Sequence, residues 1–330
     1  MECNKCHHFC QIAENQTGLC GVRQNIQGEI KLLSYGKAAA ANIDPIEKKP
    51  LFHFLPNSLT FSFGTLGCNF FCANCQNFEI AQMNGFKGKI TEYKKLDWGE
   101  PLLPEKVIEH AIGNNCDSIS CTYNEPTVWV EYALDAMKLA RINNLKTVWV
   151  SNGYMSDETL DEIIPYLDAI NVDIKSFDDN FYQKNCGARL QPVLDNCKRL
   201  VEANVWVEIT TLVIPSLSDD LKMLEKLAGF IKNELGENMP WHLSAFSPEI
   251  SWKLQGLTRT PLNTLKDAYE IGKKAGLKNV YLGNVPSDIY DNTYCPKCHE
   301  LVIERNGFIS KNNLNGSLCP NCNEKIAGIF

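Results

Sequence analysis

From residue 59 to about residue 290 the chain alternates between short apolar runs and longer stretches with helical spacing. The runs are LTFSF at 59–63, SISC at 118–121, TVWV at 147–150, AINVDI at 169–174, VWVEIT at 205–210, WHLS at 241–244 and NVYL at 279–282. Such short apolar runs suit strands buried on both faces, as in a parallel sheet. Between them the spacing predicts amphipathic helices. These are PEKVIEHAIG from 104, TVWVEYALDAMKLAR from 127, SDETLDEIIPYL from 156, VLDNCKRLVEA from 193, SDDLKMLEKLAGFIKNEL from 218 and TLKDAYEIGKKAG from 264. Ser156 and Ser218 precede acidic first turns and read as N-caps. Strand–helix alternation about six times over predicts parallel βαβ units, in a doubly wound sheet or a partial (β/α) barrel. No G-x-G-x-x-G follows the first strand, which weighs against a dinucleotide-binding fold.

The flanks break this rhythm. Residues 1–58 read as a small appended module and linker, punctuated by Pro45, Pro50 and Pro56, which argue against a helix there. Within it, EKKPLFHF (47–54) suits either a docking surface or the barrel's underside; its apolar Leu51, Phe52 and Phe54 favour packing. Residues 59–290 form the barrel, and residues 291–330 a short C-terminal unit.

Fifteen cysteines change the picture. The N-terminus, MECNKCHHFC, carries no apolar run of the kind that directs export, so a reduced, cytoplasmic setting is expected, where clustered thiols serve as metal ligands. There the sequons at Asn15 and Asn315 carry no meaning. No apolar stretch approaches the roughly 18 residues of a membrane span. A net charge of −7 supplies no general field for nucleic acid or anionic lipid, and a local basic patch stays open.

The cysteines fall into three sets and four strays, Cys116, Cys121, Cys186 and Cys197, which read as small buried hydrophobes. Cys295, Cys298, Cys319 and Cys322 form two C-P-x-C knuckles twenty residues apart, the pattern of a structural zinc ribbon. So small a segment needs a metal to fold. Cys3, Cys6, Cys10 and Cys20 are spaced less regularly, with His7 and His8 among them; zinc is the first choice and an iron–sulfur cluster the second. Cys68, Cys72 and Cys75 lie just after the first strand, flanked by Gly64 and Gly67. Three thiolates hold three irons of a [4Fe–4S] cubane and leave the fourth open to another ligand.

A C-x3-C-x2-C triplet after the first strand of a partial (β/α)6 barrel resembles the radical S-adenosylmethionine (SAM) superfamily. The likeness is nearest to the branch of pyruvate formate-lyase activating enzymes. Several segments look like the radical SAM enzyme of the AmmeMemoRadiSam system: EKKPLFHF, GCNFFCANCQNFEI (67–80), TYNEPT (122–127), VSNGY (150–154), NVDIKSF (171–177), PWHLSAF (240–246) and the two terminal cysteine modules. The resemblance implies that Cys68, Cys72 and Cys75 ligate a [4Fe–4S] cluster whose open iron takes SAM. It places Tyr123, Asn124 and Glu125 at the SAM ammonium and Ser151 and Asn152 at the ribose. Asp173 and Lys175 fall at the fourth strand's end, with Lys175 toward the SAM carboxylate. Val213, with Ile214 and Pro215, lies under the adenine, and His242, ending the sixth strand, lies near SAM. Backbone-satisfied core burial is the alternative for His242. Glu208 faces either the barrel or solvent. Asn74 stands where many members carry an aromatic.

The activity so implied is reductive cleavage of SAM to methionine and a 5′-deoxyadenosyl radical, which abstracts hydrogen from a substrate. A flavodoxin or ferredoxin would supply the electron, and Amme-type and Memo-type proteins would be partners. Two other readings stand beside it: an activase for a glycyl-radical enzyme, and a non-catalytic zinc-ribbon scaffold.

Overall fold

A computed structural model describes residues 1–83, 99–286 and 289–330. Eight strands form the main sheet: β1 (Ala40–Pro45), β2 (Leu59–Gly64), β3 (Ser118–Cys121), β4 (Lys146–Ser151), β5 (Ala169–Asp173), β6 (Trp206–Val213), β7 (Trp241–Ala245) and β8 (Val280–Gly283). They lie side by side in chain order, β2 to β8 parallel and β1 antiparallel on the edge. A doubly wound sheet reverses its strand order at a switch point. Here the order never reverses and β1 does not pair with β8, which is the winding of an open, partial barrel.

Period-two alternation sorts the side chains. Phe63, Ile119, Trp149, Ile170, Ile209 and Trp241 face the helices and belong to one large buried core. Burying each such side chain contributes about 1.5–3 kcal/mol. The other face is largely polar. Ser62 pairs with Ser120, Asn171 with Glu208 and Thr210 with His242. The surrounding helices are α1 (Pro104–Gly113), α2 (Val130–Ile142), α3 (Asp157–Ile163), α4 (Gln191–Glu202), α5 (Leu221–Phe230) and α6 (Leu262–Ala275). Ser156 caps α3, its hydroxyl accepting from Thr159 N. Ser218 does not cap α5. Asp220 does, accepting from Met223 N at 2.8 Å, because it directly precedes the first helical residue, Leu221. The Ser218 hydroxyl instead donates to Leu212 O and accepts from Ile214 N.

β1 comes from the linker, where proline spacing argues against a helix and hides a strand. Leu51 and Phe54 are fully buried against Val148 and Ala169, at the N-terminal end of the barrel, so EKKPLFHF closes its underside. The C-terminal strands Thr293–Tyr294, Leu301–Asn306 and Ile309–Asn312 form an antiparallel sheet that meets this segment. Ile329 bridges Phe54, and the buried Arg305 lies over the Phe52 ring at 4.1 Å. At the N-terminus, Arg23–Ile26 and Glu29–Leu32 form a hairpin. Gln27 and Gly28, at φ +54° and +78°, supply its tight turn.

Candidate functional site

The loop after β2 carries Cys68, Cys72 and Cys75 at the C-terminal end of the barrel, where (β/α) barrels keep their chemistry. Gly67, at φ +90°, lets it turn under the N-terminal module; a Cβ there would stand 2.7 Å from Cys20 O. The loop is clamped on both sides. Phe71 N donates to Cys186 O and Ala73 N to Asn185 O. Opposite them, Trp252 N donates to Cys75 O and Lys253 N to Ala73 O. Asn185 Nδ2 donates to Asn74 Oδ1, so Asn74 fastens the loop.

Burial, with Glu125 nearby, pushes the Cys68 thiol well above its ordinary range, and burial first of all pushes Cys75 up to about 11. Such thiols are poor free nucleophiles and ionise only against a cationic centre. Three of them in one clamped loop fit the donor set of an iron–sulfur cluster.

Beside the loop, Glu125 joins two strand ends. Its buried carboxylate accepts from Thr127 N at 3.0 Å, Thr127 Oγ1 at 2.6 Å, Ser151 Oγ at 2.8 Å and Asn152 N at 2.8 Å. Desolvation raises its carboxyl against the pull of those four donors. Asn152 Nδ2 donates to Asn69 Oδ1, tying the end of β4 to the residue after Cys68. Asn124 donates to Gly67 O and accepts from Trp129 Nε1. Tyr123 sits at φ +71°, a conformation that glycine adopts freely and an aromatic rarely does. Its hydroxyl donates to Asp44 and its carbonyl accepts from Asn77 Nδ2.

Lys175 pairs with Asp173 at 2.9 Å. Burial alone would lower its ammonium, but Asp173 and the thiols of Cys72 and Cys186 outweigh that and hold it well above its ordinary range. Cys186, which spacing leaves among the strays, is buried beside Cys72 in the π-helical turn Tyr182–Cys186. Val213 is buried at the end of β6, its carbonyl accepting from Thr260 Oγ1.

His242 does not join this group. It is the second residue of β7, not its last. Its Nε2 lies 2.7 Å from Glu208 Oε2 and its ring meets Phe52 edge-on. Glu208 also accepts from Phe52 N, His53 N and Trp206 Nε1, so it faces the barrel's closed underside. In the C-terminal unit, Cys295–Cys322 and Cys298–Cys319 stand 3.6 Å apart, and all four sulfurs lie within 4.8 Å of one another. The backbone N–H of Glu300 makes the Cys298 thiol more acidic. Cys3, Cys6, Cys10 and Cys20 line one cavity next to the loop.

Residues 63–228, the span of this loop and of β3 to β6, match the family model for the radical SAM superfamily. The chain belongs to that superfamily. It is 41% identical over 329 residues to an uncharacterised protein of Methanocaldococcus jannaschii, covering 99% of this chain and 95% of that one. It is 25% identical over 183 residues to the pyruvate formate-lyase 1-activating enzyme of Escherichia coli K12, covering 53% and 71% of the two. In fold it is similar to a radical SAM methyltransferase from Sphaerobacter thermophilus, with a TM-score of 0.52 at 13% identity over 69% of this chain and 67% of that one. Radical SAM membership implies an iron–sulfur cluster and SAM, and a radical-generating enzyme. No described helix is long and apolar enough to cross a membrane.

Proposed function

We propose that this radical SAM protein reductively cleaves SAM and abstracts hydrogen from a substrate, with Cys68, Cys72 and Cys75 holding the [4Fe–4S] cluster. The observation that carries this reading is the clamped three-thiol loop at the barrel's C-terminal end, beside the Glu125–Ser151–Asn152 network. When bound, the cluster supplies the electron that breaks the SAM sulfonium bond and yields a 5′-deoxyadenosyl radical. The protein's own residues bind, orient and exclude water. Backbone groups of Tyr123, Asn124 and Glu125 would hold the ammonium of SAM, Ser151 and Asn152 its ribose, Lys175 its carboxylate, and Val213 its adenine. Glu125 positions this set, since its carboxylate already holds Ser151 and Asn152. Asp173 aims Lys175.

A flavodoxin or ferredoxin supplies the electron, and Amme-type and Memo-type proteins are the partners we favour. Likeness to activating enzymes supports a second reading, hydrogen abstraction from the backbone of a glycyl-radical partner. We assign zinc to Cys295, Cys298, Cys319 and Cys322, whose close sulfurs suit a single tetrahedral ion.

Anaerobically reconstituted protein with dithionite and SAM should produce 5′-deoxyadenosine and methionine, and Cys72→Ala should produce neither. Wild-type protein that holds its iron and yields no 5′-deoxyadenosine sinks the reading. Deuterium-labelled candidate substrates then identify the hydrogen donor by label transfer into 5′-deoxyadenosine.

A further inference from the structure

Cys3, Cys6, Cys10 and Cys20 take no part in the function proposed above. Their segment is a small closed knot, with Cys3 N donating to Cys10 O at 2.9 Å and Phe9 N to Cys6 O at 3.1 Å. It is fastened to the barrel. Lys5 pairs with Glu162 at 2.8 Å, and His7 N donates to Tyr154 O. All four thiols line one cavity, together with Arg23, Asn69 and Thr127.

Two kinds of four-thiolate centre differ in the spread of their sulfurs. Around one tetrahedral zinc, with Zn–S about 2.3 Å, neighbouring sulfurs stand about 3.8 Å apart. The C-terminal set has that spacing. Among the described residues no three thiols outside that set come within 4.8 Å of one another. A cubane binds each thiolate at a different iron, so its ligands ring a cavity rather than meet at a point. Neither the N-terminal thiols nor Cys68, Cys72 and Cys75 converge to the single-ion spacing, which is what a cubane requires of its ligands. Nor does His8 bring a ring nitrogen within 4.8 Å of two other ligand atoms among the described residues.

The cavity wall supplies an independent sign. Arg23 Nε is buried without a hydrogen-bond acceptor, in a residue 3% exposed, and the fully buried Asn69 amide is already aimed at the Cys6 sulfur. Leaving a buried donor unpaired is costly, so such a group marks a missing acceptor. The other Arg23 nitrogens are held by Glu131, so this N–H is the one left for the cavity. Sulfide and thiolate sulfurs accept such donors, and those bonds set the potential of a cluster.

We infer that Cys3, Cys6, Cys10 and Cys20 hold a second [4Fe–4S] cluster, fully thiolate-ligated, with Arg23 and Asn69 donating to its sulfurs. Four thiolates leave no open iron, which makes it a centre that carries electrons rather than one that binds substrate. It adjoins the first site. Asn69 directly follows Cys68, and Thr127 bonds Glu125.

The test is metal and sulfide analysis of anaerobically reconstituted full-length protein. The variant Cys68→Ala/Cys72→Ala/Cys75→Ala should keep about four irons and four sulfides per chain. Its absorption near about 400 nm and its reduced EPR signal should not respond to SAM. Cys3→Ser/Cys6→Ser in the otherwise intact chain should lose about half the parent's iron while its zinc stays unchanged. This second variant decides the matter if the triple variant does not fold. Zinc in place of iron in the triple variant, or unchanged iron in Cys3→Ser/Cys6→Ser, overturns the assignment. Neither result depends on SAM cleavage, so this inference and the proposed function fail separately.

Discussion

Asp44 shows how one side chain couples the linker to the site. It accepts from Lys48 and Lys49 at 2.7 Å each and from the Tyr123 hydroxyl at 2.8 Å. Burial would raise its carboxyl, but the two ammoniums outweigh burial and hold it below the usual carboxylate range. An acid depressed in the folded state contributes stability above its unfolded pKa, about 3.9, and loses it as pH falls. Urea denaturation should therefore show a steeper loss of stability between about pH 5 and 3 in the parent than in Asp44→Asn; equal slopes would remove Asp44 from the account. Cys186 is a second case. Its thiol lies beside Cys72, yet its spacing places it outside the triplet. Cys186→Ala should retain the parent's iron content and its 5′-deoxyadenosine yield. Loss of iron would make Cys186 a ligand. The triplet itself is legible because its ligands are near neighbours in the chain. Cys186 is invisible there because only the fold of the Tyr182–Cys186 turn brings it across.

At the scale of elements, local chemistry predicts most of the barrel, and its failures are of one kind. Ser156 caps α3 as its sequence suggests, and the same hydroxyl donates to Asn4 O, so one residue both starts a helix and anchors the N-terminal knot. Ser156→Ala should cost about 1 kcal/mol or a little more in chemical denaturation. It should also raise hydrogen exchange in residues 1–10; unchanged exchange there would mean the anchor contributes nothing. Ser218 fails as a cap because its hydroxyl finds closer backbone partners in the turn after β6. β1 escapes detection because its pattern, AANIDP, carries two polar residues, an exposed Asn42 and a buried Asp44, opposite Ser62 and Thr60. An edge strand next to a polar lumen lacks the apolar run by which buried strands are read.

Across the whole molecule, the two ends of the barrel serve different purposes. The C-terminal end carries the cluster loop, and the underside is shut by residues 47–54 and the C-terminal unit. Glu208 is the hub of that closure, with four donors upon it and no exposure. Burial would raise its carboxyl, but His242 and the other donors hold it low. Glu208→Ala leaves those donors buried and unpaired. It should destabilise the protein by about 3–5 kcal/mol, read as a large drop in Tm. SAM affinity of the folded fraction should stay unchanged; a weakened affinity at undiminished stability would return His242 to the SAM site. With the zinc proposed for Cys295, Cys298, Cys319 and Cys322 bound, its removal by a chelator should likewise lower Tm, because Ile329 and Arg305 dock that unit onto Phe54 and Phe52. A chelator that removes zinc and leaves Tm unmoved would show that the unit holds without it.

What the sequence determined by itself is what short-range order determines. Strand and helix periodicity set the βαβ winding, and cysteine spacing marked the triplet and the C-terminal knuckles, since their ligands are close along the chain. Relations across long separations came from folding alone: His242 against Glu208, Cys186 against Cys72, Asn69 between two thiol-lined sites, and the failure of the N-terminal sulfurs to converge on one point. Spacing fixes how far apart two residues can be, but only packing fixes how near they come, and the choice of metal centre turns on that nearness.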